Sequence, residues 1–130
     1  MGDLLFSGIG TIGRVYLISI PTTNWNISES VFTLRPNELV SKEYLYLLLL
    51  SDQLQGYCYQ NSHGVAQKGV RMATLEDYAF NLPTRHVMVL FTKLVKPFID
   101  KAQVLKQEQI LLSESRDRLL PRLMSGEIEV

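Results

Sequence analysis

The residues of this 130-residue sequence whose types could carry out catalysis show no arrangement typical of an active site, and the Asp and Glu residues are not paired. The two histidines, His63 and His86, have no acidic motif around them, so neither a metal site nor a catalytic triad is supported. Cys58 is the single cysteine and follows an apolar stretch, which favours a buried structural thiol over a nucleophile. The sequence therefore predicts a protein that is not an enzyme and needs no cofactor.

Three glycines near the start, Gly8, Gly10 and Gly13, have the spacing of a dinucleotide-binding fingerprint. That fingerprint must open a helix, whereas the residues that follow here, 15–18, are typical of a strand. We therefore interpret the glycines as a hairpin or a bulge. Arg14 follows them directly; it could bind a phosphate or a base, or belong to an ordinary turn.

A polar stretch punctuated by glycines, residues 61–71, is the best candidate for contact with nucleic acid. It carries His63, Gln67, Lys68 and Arg71 and contains no acidic residue, although the whole chain has 13 basic and 13 acidic side chains. Glutamine can pair bidentately with adenine, and arginine with guanine or phosphate. The composition also fits a solvated polar loop, so both interpretations stay open on these residues alone.

The elements that must position these residues indicate an α+β fold. We predict a small mixed domain over residues 1–84, followed by a long helix with a short tail over residues 85–130. The pattern predicts strands over residues 3–6, 14–20, 31–35 and 79–82, a helix over residues 42–57, and a one-turn helix with Thr74 as its N-cap.

The long helix carries a heptad seam, the pattern of a helix that packs along another helix. The predicted interface residues are Phe98, Ala102, Leu105, Gln109, Leu112, Arg116, Leu119 and Leu123. Gln109 and Arg116 are polar and could fix register. Gly126 follows the seam as a natural helix terminator. Because the first domain is too small to cover the seam, we expect the partner helix in another chain or another copy.

Four segments resemble the target recognition domain of DNA-specificity subunits of type I restriction-modification systems. They are GDLLFS at residues 2–7, GTIGRV at residues 10–15, GVAQKGV at residues 64–70, and RDRLLPRLMSGEI at residues 116–128. The segments occur in the family's order and span nearly the whole chain. The resemblance implies a small mixed recognition domain followed by a coiled-coil helix.

The resemblance also implies the function. A specificity subunit reads a bipartite double-stranded DNA sequence without catalysis, and it directs the modification (methyltransferase) subunit and the restriction subunit. This chain would be half of such a subunit, lacking the N-terminal part of its recognition domain. It would form a homodimer, or pair with another specificity half, through the helix. We expect a cytoplasmic protein with no membrane partner. The alternative is a truncated protein-interaction fragment that associates through its helix but no longer binds DNA.

Overall fold

The computed structural model of the chain describes residues 2–19, 25–65 and 68–128. Three strands, β1 (Leu4–Ser7), β2 (Val15–Leu17) and β3 (Val31–Leu34), precede the helices α1 (Lys42–Leu50), α2 (Asp52–Gln60), α3 (Met72–Glu76) and α4 (Arg85–Met124). The predicted α+β class is confirmed. Two compact units are present, residues 1–94 and 95–130, while the predicted domain boundary between residues 84 and 85 stays a prediction.

The sheet is antiparallel throughout, with β1 in the centre between β2 and β3. Along β1, alternate side chains point to opposite faces, so Leu4 and Phe6 are both fully buried. Helix α1 packs against β1, β2 and α2, and Leu49 of α1 and Cys58 of α2 join the core. The sheet and these two helices therefore form the frame that carries the loops described below.

The helix predicted over residues 42–57 is wrong in one respect, because Ser51 divides it into two. Ser51 has an extended backbone (φ −66°, ψ 143°), and its N–H group bonds the carbonyl of Leu48, which ends α1. The Ser51 hydroxyl also accepts a hydrogen bond from the N–H of Leu54, which caps α2. A serine side chain competes with the helical backbone for hydrogen bonds, so a single residue ends one helix and begins the next.

Two further local predictions are corrected by the structure. Residues 79–82 form no strand; all four are exposed, so a strand there would have no face to bury. The short helix α3 exists, but Arg71 is its N-cap, without a side-chain hydrogen bond, and Thr74 lies inside the helix. A Thr-x-x-Asp pattern is a weak signal where no apolar run follows it.

The C-terminal helix continues through Pro97 and Pro121 to Met124. Gly126, in the left-handed region at φ 72°, ends it as predicted. Its N–H group bonds the carbonyl of Leu123 at 3.2 Å, and the N–H group of Glu127 bonds that of Arg122 at 3.0 Å. Among the described residues, no helix has the length and the hydropathy that crossing a bilayer would require.

An ion pair joins the residue before β1 to the residue after β3. The pH dependence of its contribution to stability can be predicted. Arg35 donates from Nε and Nη2 to the two carboxylate oxygens of Asp3 at 3.0 and 2.8 Å. These hydrogen bonds hold the pKa of Asp3 below its ordinary value. The stability it contributes is therefore present above the ordinary aspartate pKa and is lost as the pH falls through the lowered one.

We expect Asp3→Asn to lower the urea midpoint of unfolding at about pH 7, and we expect this deficit to shrink as the pH falls through the lowered pKa of Asp3. The effect is small because the pair is exposed. Glu29→Gln is the matched control, since Glu29 is exposed and has no ion pair among the described residues. An Asp3→Asn deficit that persisted in acid would contradict the assignment.

Candidate nucleic-acid interface

Two loops that are distant in sequence lie side by side. We call residues 8–14, between β1 and β2, the glycine loop, and residues 61–71, between α2 and α3, the basic loop. The N–H group of Val70 donates to the carbonyl of Gly8 at 2.7 Å, and the N–H group of Gly10 donates to that of Lys68 at 3.1 Å. Ile9 and Gly69 form an antiparallel bridge between them. The two loops therefore form a single surface.

The glycine loop is a hairpin loop, as the sequence indicated, because β2 and not a helix follows it. Ser7 organises its base: its hydroxyl donates to the carbonyl of Thr11 and accepts from the N–H group of Arg14 at 2.9 Å. Gly10 and Gly13 have φ angles of 81° and 88°. Residues other than glycine rarely adopt this backbone conformation. Because a strand and not a helix follows these glycines, they do not form a dinucleotide-binding fingerprint.

Gln55 of α2 holds the glycine loop against the frame. Its Nε2 donates to the carbonyl of Gly13 at 3.0 Å and to the carbonyl of Leu49 at 2.6 Å. A Cβ atom at Gly13 would overlap Oε1 of Gln55, so a side chain at this position would displace the Gln55 amide. Gln55 was not predicted, since a single glutamine on a helix carries no signal until its tertiary neighbours are known.

A pair of backbone hydrogen bonds joins the two sides of the basic loop. His63 and Gly69 exchange both N–H···O contacts at 2.9 Å, and Gly64 at φ 119° turns the chain. His63, Lys68 and Arg71 are all exposed on this loop. Gln67, the predicted base-reading residue, lies outside the described residues.

The charges on this surface are mostly not neutralised. Arg14 and Arg71 are exposed and make no ion pair within residues 2–19, 25–65 and 68–128. Neither loop contains an acidic residue. Lys68 contacts Tyr59 of α2 rather than a carboxylate, with Nζ 3.1 Å from the phenol oxygen and 4.3 Å from the ring centroid. A local cationic surface of this kind can bind a polyanion although the chain is neutral overall.

Residues for other chemistry are not assembled in the part of the chain that the structure describes. No group of three His, Cys, Asp or Glu residues there could hold a metal ion. Cys58 is fully buried, and burial raises the pKa of its thiol. A thiol in that state is a poor nucleophile.

The predicted helix-interface residues lie along α4, and all of them are exposed. They are Phe98, Ala102, Leu105, Gln109, Leu112, Arg116, Leu119 and Leu123. A shallow hollow on this face is lined by Leu105, Glu108, Gln109, Leu112, Ser113 and Arg116. Arg116 also pairs with Asp117 at 2.7 Å. An exposed apolar seam of this length has the form of a helix-pairing surface.

Comparison with known proteins gives two findings. The family model described as the type I restriction modification DNA specificity domain matches residues 1–113. The chain is also similar to the type I restriction enzyme HindI specificity subunit of Haemophilus influenzae, with 31% identity over 128 residues. That similarity covers 97% of this chain and 27% of the relative, so the chain spans about a quarter of the relative's length.

Gly13 offers a test of the loop's anchorage. We expect Gly13→Ala to destabilise the protein by about 1–3 kcal/mol, because alanine is strained at φ 88° and its Cβ would displace Gln55. The matched control is Gly56→Ala on α2, where nothing lies within 4 Å of an added Cβ. That change should stabilise the helix by about 0.5–1 kcal/mol. Urea unfolding measures both; equal effects at the two glycines would refute the anchorage.

Proposed function

This chain belongs to the type I restriction modification DNA specificity domain family, and from that premise we propose that it reads one half of a bipartite DNA target without catalysing a reaction. In this role it directs a methyltransferase and endonuclease complex to its site. The surface formed by the glycine loop and the basic loop contacts the DNA. The proposal places the protein in the cytoplasm, together with the DNA and the other subunits.

The observation that carries this proposal is the joining of the two loops. The hydrogen bonds from Val70 to Gly8 and from Gly10 to Lys68 make one surface from segments that are far apart in the chain. That surface bears exposed cations and no carboxylate of its own. Nucleic-acid recognition requires such a combination, in which cations contact phosphates and polar side chains on a rigid support reach the base edges.

Each predicted contact residue has a role in the proposal. Lys68 contacts phosphate and so contributes to affinity on any sequence. Gln67 reads a base edge, since its amide can pair with adenine through two hydrogen bonds. Arg71, Arg14 and His63 lie on the same two loops, where they can bind either a phosphate or a base.

We further propose that α4 pairs with a helix of another specificity half or of a second copy of this chain. Its exposed seam supports this, because apolar side chains of that number on one face favour association. A homodimer would relate two recognition surfaces by a twofold axis and so select a symmetric target. The modification and restriction subunits are the further partners in this proposal.

The DNA-binding role can be tested with two substitutions in the basic loop. We expect Lys68→Met to weaken binding to mixed-sequence duplexes uniformly and to reduce the slope of log affinity against log salt by about one. Gln67→Ala should instead change which sequences are selected from a random duplex pool. Fluorescence anisotropy measures the first effect, and sequencing of the retained duplexes measures the second.

A lysine outside the two loops serves as the control for that experiment. Lys93 on α4 is exposed, and Lys93→Met removes the same charge from the same chain. It should leave the salt slope unchanged. If the folded wild-type protein showed no salt-sensitive binding to any duplex, the alternative would be favoured, a fragment that associates through its helix only.

The pairing of α4 can be tested with two neighbouring leucines. Leu112 lies on the seam and is 71% exposed, whereas Leu111 lies off it and is 58% exposed. A buried leucine contributes about 1.5–3 kcal/mol, so Leu112→Glu should weaken self-association at least about tenfold. Leu111→Glu adds the same charge but should leave the self-association near that of the wild type.

Analytical ultracentrifugation over a concentration range measures the assembly of both variants. A wild-type protein that stayed strictly monomeric at tens of micromolar would count against the homodimer. If Leu112→Glu and Leu111→Glu weakened self-association equally, this would count against the seam as the contact surface.

A further inference from the structure

Tyr59 is an exposed aromatic residue at the edge of the proposed DNA surface, and it is not among the predicted contact residues. It lies near the end of α2 with 63% of its surface exposed. Its phenol oxygen accepts a hydrogen bond from Nζ of Lys68 at 3.1 Å, and the ammonium lies 4.3 Å from the ring centroid. Tyr59 therefore touches the ammonium both through its oxygen and through its ring.

We infer that Tyr59 is a positioning residue, which holds the Lys68 ammonium in place to receive a phosphodiester oxygen of the DNA backbone. This inference rests on the proposed function. An ammonium group has three N–H donors. The phenol oxygen takes one of them, so two remain for an anionic oxygen, with which they form charge-assisted hydrogen bonds.

Both residues of the pair are fixed at their backbones. The carbonyl of Tyr59 accepts from the hydroxyl of Ser62 at 2.7 Å and from its N–H group at 3.3 Å, which ties the end of α2. The carbonyl of Lys68 accepts from the N–H group of Gly10 at 3.1 Å. The long lysine side chain is the flexible part between these anchors, and the contact with Tyr59 restrains its charged end.

The geometry favours a phosphate over a base as the ligand of this pair. The ammonium lies 3.1 Å from the phenol oxygen of Tyr59 and 4.3 Å from its ring centroid, so the positive charge is held at the polar end of the ring, where an anionic oxygen can reach it. A cation held beside an aromatic ring also presents a point charge without a pattern of donors and acceptors that distinguishes bases. Tyr59 therefore contributes to affinity equally on all DNA sequences.

A double-mutant cycle on the 130-residue chain tests the inference. The four proteins are the wild type, Tyr59→Leu, Lys68→Met and the double variant, and the probe is a mixed-sequence duplex at several salt concentrations. We expect Tyr59→Leu to weaken binding roughly threefold to tenfold in the wild-type background. The same change should have less than about a twofold effect when Lys68 is already methionine, since Tyr59 acts through that ammonium.

Tyr59→Phe is the conservative variant in this experiment. It keeps the ring and loses only the phenol oxygen, so its affinity should fall between those of the wild type and Tyr59→Leu. An NMR readout without DNA accompanies it: we expect the ring to shift the signals of the methylene protons next to Nζ of Lys68, and this shift should persist in Tyr59→Phe and vanish in Tyr59→Leu. Because Tyr59 is exposed, circular dichroism should show all variants folded.

The outcomes separate the two claims. If Tyr59→Leu weakened binding equally in both backgrounds, Tyr59 would act by itself or through the fold, and the positioning role would be overturned while DNA binding stood. If Lys68→Met bound as tightly as the wild type, Lys68 would be no phosphate contact, and the positioning role would again be overturned. If the wild type failed to bind any duplex, the proposed function would fail and this inference with it.

Discussion

The proposed recognition surface depends on the close approach of two backbones, which glycine allows. A Cβ atom at Gly8 would lie 2.5 Å from the ring of Phe32 and 3.2 Å from the carbonyl oxygen of Val70. One at Gly69 would lie 3.3 Å from the side chain of Ile9. Without side chains at these two positions, the main chains reach hydrogen-bonding distance, and the two loops become a single surface.

Much of the fold could be predicted because its signals are local. The strands β1, β2 and β3 are short alternating runs bounded by glycine or proline, and the residues that end α4 include Gly126 in the expected conformation. The division at Ser51 was missed because the long apolar run before it, residues 44–50, outweighed the capping signal of a single serine. The exposed segment 79–82 was misjudged because composition does not reveal whether a neighbouring strand is available.

The candidate site was predictable only in part, for a related physical reason. The cationic character of the basic loop follows from composition, and so do His63, Lys68 and Arg71 as exposed candidates. Gln55 and Tyr59 were not predicted, since each acquires its role from a partner in another loop. Residue types alone do not specify such contacts. The predicted base contact of Gln67 and the pairing of α4 stay predictions.

The bonds that join the two loops are made by main-chain groups, and this affects how specificity can diverge. Main-chain hydrogen bonds persist when most side chains around them change. The exposed side chains of Arg14, His63 and Arg71 are not part of that framework. Substitutions at these three positions can therefore accumulate at little thermodynamic penalty. Under the proposed function, a lineage could acquire new target preferences in this way while its scaffold geometry stayed the same.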